Sequence, residues 1–146
     1  MIKLADTRLL RTSAYVNGKW MAAQSGKTLE VRNPANADLL GNVPDCGGAE
    51  TRTAIEAAEA ALPAWRARTA SDRAALLRRL HALILANQED LATLMTAEQG
   101  KPLAEARGEI AYAAAFVEWF AEEARRVYGD VIPGHAKDRR IVVIKQ

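Results

Sequence analysis

The first third of the chain has the hydrophobic pattern of short antiparallel strands. An Asn-Gly pair at residues 17 and 18 separates two short apolar runs, and this pair is the strongest short-range signal for a hairpin. A second pair of strands is predicted over residues 28–32, where apolar and polar residues alternate, and over residues 39–43. We therefore expect β-hairpins across residues 14–43.

Between residues 49 and 128 the apolar positions recur with the 3.6-residue period of α-helices, which predicts four helices. The first is expected to end or kink at Pro63, because proline has no backbone N–H to donate. The second has Thr69 or Ser71 available as its N-terminal cap. The predicted inner face of the second helix is formed by Leu76, Leu77, Leu80, Leu83 and Ile84.

The third and fourth helices are separated by a Gly-Lys-Pro sequence. The third is predicted over residues 88–98, with Gly100 suited to the position beyond its C-terminus. The fourth is predicted to begin at Pro102 and to run to Tyr128. Its main apolar stripe is predicted to be Ile110, Ala114, Val117, Phe120, Ala121 and Ala124, with Phe116 and Trp119 on a second apolar face. We expect other elements to cover this helix on two sides.

Residues 129–146 return to a strand pattern. Two apolar runs, Val131-Ile132 and residues 141–144, flank a polar loop and predict a hairpin arm. The second run is β-branched and would be an exposed edge, so we expect missing sequence or a partner to cover it. Strands, then helices, then strands is not an alternating βαβ order, so this segment alone is not expected to form a wound parallel sheet.

Composition and charge narrow the class of protein. The 146 residues are 49% hydrophobic and 26% charged but only 5% aromatic, and 30 of them are alanine, which favours helices and buries little area per residue. The net charge of only +2 argues against nucleic-acid and anionic-membrane partners. No apolar run has the roughly 20 residues of a membrane span, and no signal peptide is visible. We therefore expect a cytoplasmic protein with neither nucleic acid nor membrane as a partner.

Few residues of the chain are candidates for catalysis or cofactor binding. The glycines fit neither the dinucleotide-binding nor the phosphate-loop spacing. The single cysteine, Cys46, precedes a predicted helix and could be a nucleophile. However, nothing in the sequence indicates a general base next to it. His81 lies in a leucine-rich helix, where a packing histidine is commoner than a metal ligand, and His135 is expected to be exposed. The residues alone predict no catalytic and no cofactor-binding side chain.

Several motifs, taken in order, resemble the N-terminal section of the aldehyde dehydrogenase superfamily. They are Tyr15-Val16-Asn17-Gly18-Lys19-Trp20, Val31-Arg32-Asn33-Pro34-Ala35, Pro63-Ala64-Trp65-Arg66 and Gly100-Lys101-Pro102. Within the superfamily, residues 95–106, 118–123 and 128–135 are most similar to the bacterial NADP-dependent succinate-semialdehyde dehydrogenase subfamily. The resemblance extends over nearly the whole chain from about Leu4.

The resemblance implies an α/β fold for the complete enzyme, of which this chain would be the N-terminal portion. Residues 1–128 would belong to the nucleotide-binding domain, with β-hairpins at 14–43 and helices at 49–128. Residues 129–146 would form the first arm of the oligomerisation sheet, which implies a homo-oligomer assembled through this arm.

The activity that the resemblance implies is NAD(P)-dependent oxidation of succinic semialdehyde to succinate through a cysteine thioester. The family's nucleophilic cysteine, general base, oxyanion-binding asparagine and cofactor-binding strands match no position in residues 1–146. We therefore expect the chain alone to bind neither NADP nor NAD and to be inactive. Two alternatives stay open: an enzyme for another aldehyde, and a non-catalytic helical interaction module that self-associates through residues 141–144.

One binding site is implied within the chain. In several members of the family a monovalent cation lies between backbone carbonyls just before the Asn-Pro turn and an acidic side chain before the Gly-Lys-Pro motif. The matching positions are Val31, Arg32 and Glu98. The family often has the shorter aspartate at the last of these positions.

Overall fold

The computed structural model describes residues 2–145. After a short 3₁₀ turn at Thr7–Leu9, the described residues form six strands and four α-helices. In chain order these are β1 (Ala14–Val16), β2 (Lys19–Met21), β3 (Thr28–Arg32), β4 (Leu39–Pro44), α1 (Gly48–Arg66), α2 (Ala70–Ala86), α3 (Gln88–Gln99), α4 (Leu103–Glu123), β5 (Asp130–Pro133) and β6 (Arg140–Val143).

The strands form three separate antiparallel hairpins, β1–β2, β3–β4 and β5–β6. The first turns at Asn17 and Gly18, whose φ angles of 50° and 76° are the positive values that an Asn-Gly turn supplies. The second contains a register shift between Val31 and Arg32. The predicted hairpins are confirmed, and no parallel strand pair occurs within residues 2–145.

The core lies where α4 packs against both α2 and α3. The side chains that are completely buried there are alanines: Ala74 on α2, Ala92 on α3, and Ala106, Ala114 and Ala121 on α4. Because alanine adds so little bulk, the helix backbones can approach closely. Ile110 of α4 is the one large apolar side chain among residues 2–145 that is buried, and Ile84 and Leu91 pack against it.

Polar contacts also join α4 to its two neighbours. The guanidinium of Arg107 donates two hydrogen bonds of 2.7 Å to the carboxylate of Glu89 on α3. The side-chain amide of Gln88 donates to the Arg107 carbonyl oxygen at 2.9 Å. On α2, Arg78 pairs with Glu122 at 2.8 Å. These contacts join α4 to both of the helices it packs against.

The structure corrects two predicted helix boundaries. α1 does not end at Pro63 but continues to Arg66, so Pro63 lies in its last turn and its carbonyl oxygen accepts a hydrogen bond from Ala67 N at 3.0 Å. α4 ends at Glu123 rather than Tyr128. There the N–H groups of Arg125 and Arg126 bond to carbonyls three residues earlier, so the helix tightens into a turn. Thr69 caps α2, with its hydroxyl oxygen accepting from Asp72 N.

The structure also corrects the predicted inner face of α2. The face turned toward α4 carries the buried Ala74 and the half-buried Leu77, His81 and Ile84. The leucines that directly precede these three residues in the sequence are exposed: Leu76 by 43%, Leu80 by 46% and Leu83 by 52%. Since successive residues are about 100° apart on a helix, they form a second apolar stripe. No helix of residues 2–145 is long and apolar enough to cross a membrane.

Candidate cation site and interaction surfaces

The chain segments predicted to hold a monovalent cation meet at one place in the fold. Gly100 ends α3 with a φ of +76°, and a Cβ built on it would lie 2.9 Å from the Cγ of Pro34. The end of α3 therefore packs directly on the turn that follows β3. This contact brings the backbone of Val31 and Arg32 and the acidic residue Glu98 into the same part of the molecule.

At the β3 side of this place, the Arg32 guanidinium is turned to its own strand and turn. It donates to the Glu30 carboxylate at 2.9 Å and to the Ala37 carbonyl oxygen at 2.9 Å. Within residues 2–145, β3 pairs only with β4, so its other edge has no strand partner. Carbonyl groups on an unpaired edge remain available as ligands. Glu98 is exposed at the other side, and the cation site stays a prediction.

A cleft of about 340 Å³ lies between the β3–β4 hairpin and α3. Its walls include Asn33 and Asp38 from the hairpin, Thr93 and Thr96 from α3, and Lys3 from the N-terminal segment. The hydroxyl of Thr96 is buried without a hydrogen-bond partner among the described residues. The lining is therefore mixed, because Leu39 and Leu40 of β4 also contribute to its walls.

Two buried carboxylates hold the N-terminal part of the chain against the helices. Glu50 accepts hydrogen bonds from the backbone N–H groups of Gln24 at 2.7 Å and Gly47 at 2.9 Å. The hydrogen bond from Gln24, with those from its own backbone and Gly47, lowers the pKa of Glu50. Asp90 accepts from Ala5 N at 2.9 Å and Asp6 N at 2.7 Å.

Neither of these carboxylates was predicted from the sequence. The one available signal was the spacing of Glu50 three residues after Gly47, which is typical of the reciprocal capping at a helix N-terminus. No local pattern could have paired Asp90 with residues 84 and 85 positions away. Both groups are structural, since each is occupied by backbone donors.

The outer face of α4 is apolar and exposed. Tyr112, Phe116, Trp119 and Phe120 line a shallow groove of about 300 Å³. The rings of Tyr112 and Phe116 meet edge to face, with centroids 4.8 Å apart. Trp119 is 63% exposed, so the expectation that other elements also cover this second apolar face is wrong for the described residues. An apolar surface of this kind marks an interaction site.

The β5–β6 hairpin is a second exposed apolar surface. Val131 and Val142 are directly opposite each other and are 70% and 69% exposed. Ile132 and Ile141 form the next pair, at 44% and 51%. Every residue of both strands is exposed, as the predicted edge requires.

The remaining candidates do not assemble into a catalytic site. Cys46 is exposed, His81 is half-buried against α4, and His135 is exposed as predicted. No group of three or more His, Cys, Asp or Glu side chains within residues 2–145 could hold a metal ion.

Comparison with known proteins agrees with the resemblance of the motifs. The family model described as the aldehyde dehydrogenase family matches residues 20–146. A glutarate-semialdehyde dehydrogenase of Pseudomonas putida is 62% identical over 145 residues, which are 99% of this chain and 30% of that protein. The NADP⁺ succinate-semialdehyde dehydrogenase of Escherichia coli is 59% identical, again over 99% of this chain and 30% of the relative.

A solved structure shares the fold as well. The crystal structure of an NADP-dependent enzyme of E. coli has a TM-score of 0.95 and 60% identity, covering 99% of this chain and 30% of that one. The chain thus spans about 30% of the length of the relatives that it matches.

Proposed function

The chain belongs to the aldehyde dehydrogenase family, and from this we propose that it contributes the N-terminal part of an NAD(P)-dependent semialdehyde dehydrogenase. The observation that carries the proposal is the 59–62% identity to two semialdehyde dehydrogenases over 99% of the chain. A sequence identity this high over nearly the whole chain is more than a shared fold alone would require. A cytoplasmic location is part of the same proposal.

The part proposed for this chain is structural support rather than chemistry. The family's reaction needs a thiolate nucleophile, a base and an oxyanion-binding group in one site. The three candidates within the described residues, Cys46, His81 and His135, lie on different elements: the segment before α1, α2 and the β5–β6 loop. We propose that residues 1–128 form the N-terminal part of the nucleotide-binding domain, and that the chain alone neither binds NADP or NAD nor turns over aldehyde.

We propose succinic semialdehyde as the substrate and NADP as the cofactor. The E. coli relative is named for succinate semialdehyde and for NADP⁺. A second candidate is glutaric semialdehyde, because the P. putida relative with 62% identity is named for it. The two aldehydes differ by one methylene group, and in the family the arginines that hold the distal carboxylate match no position in this chain. An enzyme for another aldehyde is the broader alternative.

Two local roles belong to the same proposal. The exposed β5–β6 hairpin, within residues 129–146, would join a homo-oligomer by adding its strands to those of another subunit. A monovalent cation would be held by the carbonyls of Val31 and Arg32 and by Glu98. The contact of Gly100 with Pro34 supports this site, because it brings the segments together. If so, thermal stabilisation by Na⁺ or K⁺ over tetramethylammonium is reduced in Glu98→Gln.

A chimeric enzyme tests the function directly. The matching segment of the E. coli succinate-semialdehyde dehydrogenase is replaced by this chain, and the chimera is assayed with NADP⁺ and both semialdehydes. We expect oxidation of succinic semialdehyde by the chimera and none by the 146-residue chain alone. A chimera that folds and assembles like the E. coli enzyme but does not oxidise either aldehyde would contradict the proposal. Turnover of aldehyde by the 146-residue chain alone would contradict it as well.

The same replacement in the P. putida glutarate-semialdehyde dehydrogenase is the matched control. If this segment supports the site without touching the substrate, the preference between the two semialdehydes follows the recipient enzyme in both chimeras. A preference that moves with the inserted segment would show that this chain contacts the substrate.

A further inference from the structure

A basic cleft of about 590 Å³ lies where the end of α1, the start of α2 and the segment after α4 meet the segment after β6. Four of its lining side chains are basic: Arg66, Arg73, Arg125 and Lys145. No aspartate or glutamate of residues 2–145 is part of the lining. The cleft belongs neither to the predicted cation site nor to the apolar surfaces.

One of the four cations is held in place by the backbone. The Arg73 Nη1 donates to the carbonyl oxygens of Arg68 at 2.9 Å and Arg66 at 3.4 Å, just beyond and at the end of α1. These two bonds use one of the two terminal nitrogens of the guanidinium, so other N–H groups are available to a ligand. Arg73 is also half-buried, which limits its rotamer freedom.

Four cations line the cleft, and the helices around it also carry acids, among them Glu122 of α4 and Asp72 of α2. The Glu122 carboxylate is hydrogen-bonded to Arg78, and this bond lowers the pKa of Glu122, with only a smaller contribution from Arg125. Ala70 opens α2, whose N-terminus carries a partial positive charge. The same turn contains Asp72, whose carboxylate accepts a hydrogen bond from the Thr69 hydroxyl at 2.8 Å and does not line the cleft. Trp65 supplies a flat, partly exposed wall.

We propose that this cleft binds a small phosphate-class oxyanion with two or more negative charges. Several cations around one concave space repel one another. A multivalent oxyanion bound between them would attract each cation and accept hydrogen bonds from the guanidinium groups. The inference goes beyond the proposed aldehyde oxidation, since it uses none of the residues discussed for that reaction. Its ligand is recognised by charge and by oxygen acceptors, so inorganic pyrophosphate is a suitable probe.

The test is a titration of the ¹⁵N-labelled chain with sodium pyrophosphate at low ionic strength, with sodium chloride of equal ionic strength as the reference. We expect amide shifts confined to residues 65–73, 124–127 and 145. Arg125→Gln should weaken binding at least about tenfold, because a charge-assisted hydrogen bond to the anion is lost. The matched control is Arg126→Gln, which removes the same charge from the next residue.

Arg126 pairs with Glu123 and does not line the cleft, so its removal should change the affinity by no more than about twofold. Lys145→Gln is a second cleft variant, in case the spectrum of Arg125→Gln shows a loss of fold. The proposal is wrong if pyrophosphate causes no shifts beyond those of chloride. It is equally wrong if the shifts follow all basic residues, or if the Arg125 and Arg126 variants weaken binding alike.

Discussion

Gly100 allows the end of α3 to lie against the turn that follows β3. Its φ of +76° is in the left-handed region, and an added Cβ would lie 2.9 Å from the Pro34 ring. Both effects oppose any larger residue at this position. The Gly-Lys-Pro motif therefore has a steric reason that is independent of its resemblance to a family.

We expect Gly100→Ala to lower the free energy of unfolding by about 1–3 kcal/mol, because a non-glycine residue is strained in this conformation. Gly108→Ala is the matched control: Gly108 is inside α4, and nothing lies within 4 Å of an added Cβ. This control should stabilise the chain by about 0.5–1 kcal/mol. Urea unfolding followed by circular dichroism measures both, and equal effects would refute the steric account.

Glu50 couples the stability of the fold to pH. Backbone hydrogen bonds, the largest from Gln24, hold its pKa in the folded chain below the ordinary value of 4.5. The unfolded chain then binds more protons at acidic pH than the folded chain does. The contribution of Glu50 is complete above its unfolded pKa and is lost as pH falls through the lower, folded value.

Glu50→Gln should therefore flatten the fall of stability between about pH 5 and pH 3. Glu59→Gln, at an exposed position on the same helix, should leave that slope unchanged. The measurement is the melting temperature of each variant across this range of pH. A slope for Glu50→Gln that equals the wild-type slope would mean that Glu50 is not the group responsible.

At the scale of elements, the spacing of hydrophobic residues together with turn and cap residues predicted the order of strands and helices. It succeeded because each segment carries its own signals, such as the Asn-Gly turn at residues 17 and 18 and the cap at Thr69. It could not decide which apolar face of a helix is covered. Leu76 and Leu77 are equally apolar neighbours, and only the position of α4 determines that Leu77 is the more buried.

The predicted site depended on a different kind of information. The positions Val31, Arg32 and Glu98 were predicted from the resemblance of motifs. Residue types could not predict the carbonyl ligands, because every residue has a backbone carbonyl. The contacts of Asp90 with Ala5 and Asp6 could not be found at all, since they join segments far apart in sequence. Long-range backbone contacts of this kind are set by tertiary packing rather than by local pattern.

The helices differ in how well the rest of the chain holds them. α4 has four buried residues, whereas in α1 only Glu50 is buried and the helix packs on the short strand β1. Regions with few buried apolar contacts open at low free energy. We expect amides in the middle of α1 to exchange hydrogen faster than those in the middle of α4, after correction for intrinsic rates. Equal protection of the two helices would contradict this.

The whole molecule exposes more surface than its mass accounts for. Its accessible surface is 10896 Å², whereas a compact monomer of this mass has about 7,400 Å². None of the large side chains of residues 2–145 is fully buried, and exposed apolar side chains occur on α2, α4 and the β5–β6 hairpin. A surface of this kind is suited to burial against other protein.

We expect the chain to self-associate in solution through the β5–β6 hairpin, because its paired strands leave free edges and its side chains are apolar. Val142→Lys should raise the dissociation constant at least about tenfold, since an unpaired ammonium would have to enter the interface. Sedimentation equilibrium at several protein concentrations measures the change. Ile55→Lys, at a 63% exposed position on α1, is the control for the added charge.

This comparison distinguishes the hairpin from the helical surface as the site of association. If Val142→Lys dissociates the assembly and Ile55→Lys does not, the edge at residues 141–144 is the contact, as an oligomerisation arm requires. If both of these variants remain associated but the Trp119→Lys variant dissociates, the apolar groove of α4 is the contact instead, and the hairpin proposal fails. The edge is favoured because strand pairing satisfies backbone N–H and C=O groups as well as burying apolar area, whereas the α4 groove offers apolar area alone.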